Sequence, residues 1–227
     1  MTESLHPADT VPSEWPVLAE LLEGMETSKA VRRFRPDPIP PEILRAIVFY
    51  ATRAPSGGNR QPWEFIVVTD PAVRVELGHE YRTAVRAWND PVVAVSTDDE
   101  QQRILRSAMT LADHLHEVPA LIVVCVRLVQ DDVSRTLERR RSLESELTSV
   151  LPAVQNLILA ARAYGLGAVF TSALRHRLTE TRAILGLPEE VEFVCSVPVG
   201  FPAYPAGAFS PVTNRRPVDE VLHWNRY

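Results

Sequence analysis

APSGGNRQPWEFIVVTD, residues 54–70, joins a glycine-containing loop to an apolar run. Its first half holds Gly57 and Gly58, and its second half is an apolar run closed by Asp70-Pro71. The two glycines permit a tight turn and a close approach of backbone to a ligand. Ser56, Asn59 and Gln61 supply donors and acceptors of the kind that read a polar heterocycle edge or a polyol. The same residue types also suit a plain connector. WEFIVV then predicts a short strand, ended by Asp-Pro.

Upstream, residues 35–42 (RPDPIPPE) carry four prolines and predict an extended connector. Pro41 is placed to open a helix. Ile43, Leu44, Ile47, Val48 and Ala51 continue it at helical spacing. Further back, residues 15–24 predict a helix with Val17, Leu18, Leu21 and Leu22 on one face and Gly24 as its stop. Residues 1–12 read as a loose tail. The domain plan is a tail and helix over 1–26 and a single large domain over 27–227.

Downstream, helices are expected around 72–86 and 100–114, joined by an irregular piece. ALIVVCV, residues 120–126, predicts a buried strand. Residues 131–150 are charged and read as partly helical or mobile. Val154, Leu157, Ile158 and Ala161 mark a long helix ending at Tyr164-Gly165. A short strand over 167–170 follows, then a helix over 178–185 with Thr179 as its cap and Gly186 as its stop. A strand over 191–199 is bounded by Pro188 and Pro198, and the tail over 202–217 is extended. Helices and strands are mixed without regular βαβ alternation. That order predicts an α+β fold with a mixed or antiparallel central sheet flanked by helices.

The chain has 227 residues, 45% of them hydrophobic, which suits a large globular unit. A net charge of −5 argues against a general nucleic-acid binder, which needs a basic face. No apolar stretch is long enough for a membrane span and no signal core is present, so a cytoplasmic protein is expected. Cys125 and Cys195 sit in apolar runs and read as buried reduced thiols. No metal is expected: His114 and His116, two residues apart, fall on different faces of a helix. Neither GxSxG nor HExxH occurs, and nothing marks a protein nucleophile. An enzyme built this way leaves the hard chemistry to a cofactor.

Three more segments bear on that cofactor. Residues 27–35 (TSKAVRRFR) hold four cations, among them Lys29, the chain's one lysine. Lys29 and Arg32 share a face if the segment is helical or turn-like, and with nearby backbone N–H groups they suit a phosphate. The plainer reading is a solvated basic turn. Residues 163–172 (AYGLGAVFTS) read as a helix-to-strand reversal and lack a dinucleotide fingerprint. Arg215 and Arg216 form a late pair on the extended tail.

In order along the chain, the basic turn, APSGGNRQPWEF, AYGLGAVFTS, VPVGFP and NRRPVDEVLHW resemble the FMN-dependent nitroreductase family, from about residue 27 to the C-terminus. The resemblance implies an intertwined α+β homodimer with FMN at the subunit interface. It implies that Ser28, Lys29, Ala30 and Arg32 occupy the phosphate motif. That motif usually opens with Arg, then Arg or His, then Ser; Ser28 and Ala30 depart from it, whereas Lys29 and Arg32 keep the charge. Arg215 aligns with a later phosphate-binding Arg, assisted by Arg216. Pro55, Ser56, Gly57 and Asn59 match the loop that embraces the flavin from the partner subunit, with Gln61 supporting it. Thr171, Ser172 and Ala173 match the segment whose backbone lies near flavin N5.

No catalytic side chain is assigned on this reading. NADH or NADPH and a small electron-poor acceptor, a nitroaromatic or a quinone, take turns on one open face. Residues 78–118 and 127–148 shape the pocket, with Tyr81, Trp88 and Phe209 as stacking candidates that equally suit simple packing. Reductive dehalogenation, alkene reduction, flavin fragmentation, and flavin storage or sensing with little turnover remain as alternatives.

Overall fold

In the computed structural model, residues 18–95, 97–128, 136–204, 209 and 215–227 are described. Ten principal elements follow in chain order: α1 (Ala19–Thr27), α2 (Pro41–Ala51), β1 (Trp63–Val68), α3 (Pro71–Val95), α4 (Asp99–His114), β2 (Ala120–Arg127), α5 (Thr136–Ala163), β3 (Gly167–Ala168), α6 (Leu178–Leu185) and β4 (Val191–Gly200). The four strands form one sheet in the order β1-β2-β4-β3, with every pair antiparallel. A parallel bridge from Ala30 to Ala168 adds the basic turn to its edge. The architecture is α+β, as expected.

β2 lies between β1 and β4, and its alternation builds two cores. Ala120, Ile122, Val124 and Val126 face a core completed by Leu44, Ile47 and Ala51 of α2 and by Val150, Ala153, Val154, Leu157 and Ala161 of α5. Leu121, Val123 and Cys125 face the opposite core, with Leu77, Tyr81 and Val85 of α3 and Leu111 and Ala112 of α4. A shift of register between Val124 and Cys125 lets β2 stay paired with β4 through this change. Both thiols are free and buried, and burial is the chief cause that pushes each up to about 12.

The structure moves several predicted boundaries. Gly24 does not stop the first helix, which runs on to Thr27, where the Thr27 hydroxyl donates to the Glu23 carbonyl at 2.7 Å. Leu18, Leu21 and Leu22 are exposed, so the apolar face expected there is not covered by the described residues; Val17 and the tail over 1–12 lie outside them. The helix expected to end near 86 extends to Val95 through Pro91. Residues 136–150, read as partly helical or mobile, are helical and form the first half of α5, which also accommodates Pro152. An interior proline costs a helix roughly 3 kcal/mol, and the buried stripe from Val150 to Ala161 offsets it.

Thr179 does not cap α6. A 3-10 turn over Ala173–Arg177 leads straight into it, with Arg177 at the cap position. Pro198 lies inside β4 rather than beside it. Its carbonyl accepts from Val169 N–H at 3.3 Å. N and O of one strand residue point the same way, so its missing N–H faces the edge where β3 has ended and leaves the β2 pairing intact. His114 ends α4 and His116 belongs to the 3-10 turn Leu115–Glu117, so both rings turn to Glu117, at 3.1 and 3.6 Å, and not to opposite faces of one helix. Among the described residues no group of three His, Cys, Asp or Glu is arranged to hold a metal, and no helix is long and apolar enough to cross a membrane.

Candidate functional site

The basic turn is held by the sheet, not by its own charge. Val31 N–H donates to Ala168 carbonyl at 3.0 Å and Arg35 N–H to Phe201 carbonyl at 2.8 Å. Val31 is seated against Gly167, where an added Cβ would lie 2.6 Å from its side chain. That close approach is why a glycine starts β3. It also aims the residues beside Val31 outward. Lys29, Ala30, Arg32 and Arg33 line a groove of about 470 Å³ whose other wall is Arg103, Arg106, Ser107 and Thr110 of α4. Ser28, at the end of α1, is half-buried but does not line the groove.

Arg32, like Lys29, is a half-buried cation of the groove. Burial, its largest influence, lowers its pKa, and Tyr81 partly opposes this. Such a guanidinium stays charged at any physiological pH but is poorly solvated, a state that rewards an incoming anion. Tyr81 is buried, and its hydroxyl meets Thr171 Oγ1 at 3.1 Å. Burial raises the Tyr81 pKa, while the Thr171 hydrogen bond and Arg32 pull it down. The phenol therefore remains neutral near pH 7.

Thr171 is fixed from both sides. It exchanges backbone hydrogen bonds with Ser196 at 2.8 and 3.0 Å, and its Oγ1 accepts a long one from Ala173 N–H at 3.4 Å. Thr171 and Ala173 are half-buried and Ser172 is exposed. Tyr81 thus connects the neighbourhood of Arg32 to the segment 171–173, so these two predicted site segments are neighbours. Tyr81 is a packed residue and not an open stacking surface. Trp88 is 63% exposed, with the His176 ring 5.6 Å away. Arg162 lies over Phe209 at 4.2 Å.

The glycine loop is elsewhere. Pro55, Gly57, Asn59 and Gln61 are exposed and Ser56 is half-buried. Gly58, Asn59 and Gln61 all have positive φ, of 58°, 53° and 51°. Two non-glycine residues in that region are a local strain, and the surroundings hold it. Ser56 Oγ accepts from Gln61 N–H at 3.1 Å, and Gln61 Nε2 donates to Asn59 Oδ1 at 3.2 Å. Below the loop, Gly57 N–H donates to Ser149 Oγ at 3.1 Å, and Arg60 reaches the buried Glu146 at 2.8 Å. One oxygen of Glu146 is buried without a hydrogen-bond partner.

α5 sets the separation of the two regions. The loop rests on Ser149 at the middle of the helix, whereas Arg162 near its C-terminal end donates to Thr27 Oγ1 at 3.2 Å. Thirteen residues of helix separate these anchors, or about 20 Å. A single chain therefore does not bring the loop onto the basic groove. Arg215 and Arg216 are exposed and also do not line it. A larger cavity of about 870 Å³, walled by Pro36, Ile39, Leu44 and Phe49 among others, contains none of the predicted site residues. Its size alone gives it no claim to the chemistry.

The sequence reading missed Arg103, Arg106, Ser107 and Thr110, although their spacing in the sequence marks one helical face. It also missed the Tyr81–Thr171 contact and the Arg60–Glu146 pair, which join residues 90 and 86 apart in the chain.

The Nitroreductase family model matches residues 27–201. The chain belongs to the Nitroreductase family. It is 32% identical over 206 residues to the "NADH dehydrogenase" of Thermus thermophilus, covering 86% of this chain and 91% of that one. It is 33% identical over 173 residues to the "5,6-dimethylbenzimidazole synthase" of Rhodospirillum rubrum, covering 76% and 77%. Among solved structures, oxidized iodotyrosine deiodinase bound to FMN and 3-iodo-L-tyrosine shares the fold, with a TM-score of 0.71, 24% identity, and coverage of 91% and 100%.

Proposed function

We propose that this Nitroreductase family member is an FMN-dependent NAD(P)H oxidoreductase that works as a homodimer. The observation that carries the reading is Arg32: a half-buried cation with no carboxylate partner among the described residues, in a groove linked through Tyr81 to residues 171–173. The groove fits the phosphate end of FMN by charge and size. Lys29 and Arg32 would hold that phosphate, beside Ser28 and Ala30, with Arg215 and Arg216 closing in from the C-terminal segment. The backbone of Thr171, Ser172 and Ala173 would meet the ring.

Pro55, Ser56, Gly57, Asn59 and Gln61 would reach that ring from the partner subunit. The separation of about 20 Å along α5 supports this division of labour. Bound FMN would supply hydride chemistry, alternating between NADH or NADPH and an electron-poor acceptor such as a nitroaromatic or quinone. The chain's own part is to bind, orient and shield, so no side-chain acid or base is assigned. The named relatives keep reductive dehalogenation and flavin fragmentation as the second reading, and a test panel of a nitrofuran, a quinone, an iodophenol and an enone sorts these acceptors.

The decisive experiment is the visible spectrum of the purified protein, before and after NADH or NADPH without oxygen. A yellow protein that bleaches and releases FMN, identified by mass, supports the reading. A protein that stays colourless with added FMN ends it, and one that binds FMN but does not bleach is a storage or sensing protein.

A further inference from the structure

The α4 wall of the basic groove is not used by the FMN reading. Arg103, Arg106, Ser107 and Thr110 are spaced by three, four and seven residues from the first, so they share one face of Asp99–His114. Lys29, Arg32 and Arg33 stand opposite. The lining holds five cations and no carboxylate, in a chain whose net charge is −5. A phosphate monoester carries about −1.5 to −2 near neutral pH. One such group carries less than half the charge of that lining.

The partners that these α4 arginines have now are weak. Arg103 lies 3.8 Å from Glu100 one turn away, both well exposed. Arg106 donates to the neutral amide of Gln102. Exposed pairs of this kind contribute little, so an anion displaces them at small cost. The Thr110 hydroxyl donates to the Arg106 carbonyl at 3.0 Å, which leaves Ser107 as the hydroxyl on this face with its donor unassigned. Two guanidiniums one turn apart with a hydroxyl beside them match a terminal phosphate, which an Arg can meet through a two-pronged contact.

We propose that Arg103 and Arg106, with Ser107, form a second phosphate subsite that takes the 2′-phosphate of NADPH. The inference rests on the FMN and NAD(P)H reading above and adds the choice of donor. The 2′-phosphate is the monoester that distinguishes NADPH from NADH. The pyrophosphate common to both carries its charge as diesters buried within the dinucleotide, and does not call for an extra pair of terminal contacts.

The test is calorimetric titration of the FMN-loaded protein with 2′,5′-ADP and with ADP, which lacks the 2′-phosphate. Wild type, Arg103→Ala/Arg106→Ala and Arg103→Lys/Arg106→Lys are compared, with FMN affinity measured in parallel by fluorescence quenching. Wild type is expected to prefer 2′,5′-ADP by roughly tenfold or more. The alanine pair should lose that preference while FMN affinity falls by clearly less, and the lysine pair should keep part of it. A wild type without preference, or a preference that survives the alanine pair, overturns the subsite. So does a loss of FMN affinity as large as the loss for 2′,5′-ADP, because the arginines would then serve the flavin phosphate. If wild type binds no FMN, the flavin reading fails by itself. The same titrations of the FMN-free protein then decide the subsite separately, by the same loss or survival of preference.

Discussion

The basic turn stands near the C-terminal end of α5 and the glycine loop against its middle, and the two are made ready for a ligand in opposite ways. At the basic turn, the backbone is tied into the sheet through Ala168 and Phe201, and the side chains are left to meet the ligand. Arg32 is half-buried there with its charge uncompensated by a carboxylate. At the loop, the backbone itself is the unusual part. Its positive φ values at Gly58, Asn59 and Gln61 are held by Ser56, Ser149 and the Arg60–Glu146 pair. Charge is costly to bury and useful against an anion; a strained turn is costly to form and useful for fixed hydrogen-bond geometry. The difference explains why replacements in the two regions should have different signatures.

The largest effect is expected from Arg32→Ala, which should weaken FMN binding by about 1.5–3 kcal/mol, roughly tenfold to a hundredfold, with little change in thermal stability. Equal FMN affinity in fluorescence titration would remove Arg32 from the phosphate site. Gly167→Ala should act on the same region through packing, because its new Cβ would meet Val31 at 2.6 Å. It should lose about 1–3 kcal/mol of stability in urea unfolding and weaken FMN binding as the basic turn shifts. A stable variant with tight FMN binding would show that Val31 does not set the groove.

Tyr81→Phe removes the hydroxyl that meets Thr171. About 0.5–1.5 kcal/mol of stability should go. If residues 171–173 lie at the flavin ring, its midpoint potential should move as well; a constant potential separates Tyr81 from the site. Ser149→Ala, at the loop, should cost about 0.5–1.5 kcal/mol by leaving Gly57 N–H without its acceptor. Phosphate-end affinity should not follow. The smallest effect on affinity belongs to Asn59→Ala, which should alter flavin absorbance more than affinity and cost about 1 kcal/mol of stability, because alanine tolerates a φ of 53° less well than asparagine. A loss of affinity as large as that of Arg32→Ala would mean that the two regions do not divide the work as described.

Much of the fold was legible because single periodicities decide it. β1, β2 and β4 are continuous apolar runs, and α2 combines an N-terminal proline with a clean helical stripe. Failures came where tertiary burial overrode local signals. Gly24 reads as a stop but lies inside a helix, and Pro198 sits in a strand at the position where its absent N–H faces no partner strand. Of the site, the basic turn and the loop were visible as composition. Their separation along α5 was not, because it depends on Ser149 and Arg162, two residues with no signature of their own. The α4 wall of the groove was missed for a different reason. A stripe of Arg103, Arg106, Ser107 and Thr110 looks like any solvated helix face until a second basic segment is placed against it.

Cys125 and Cys195 lie in the sheet, fully buried, with their pKa values pushed up to about 12. Sulfur reacts with peroxide and electrophiles as the thiolate, and at such values hardly any of it exists at neutral pH. These are the only two cysteines in the chain. With both sulfhydryls sealed between layers of side chains, the thiols are expected to stay unmodified by peroxide for as long as the tertiary structure lasts, so their appearance in a thiol assay would report unfolding.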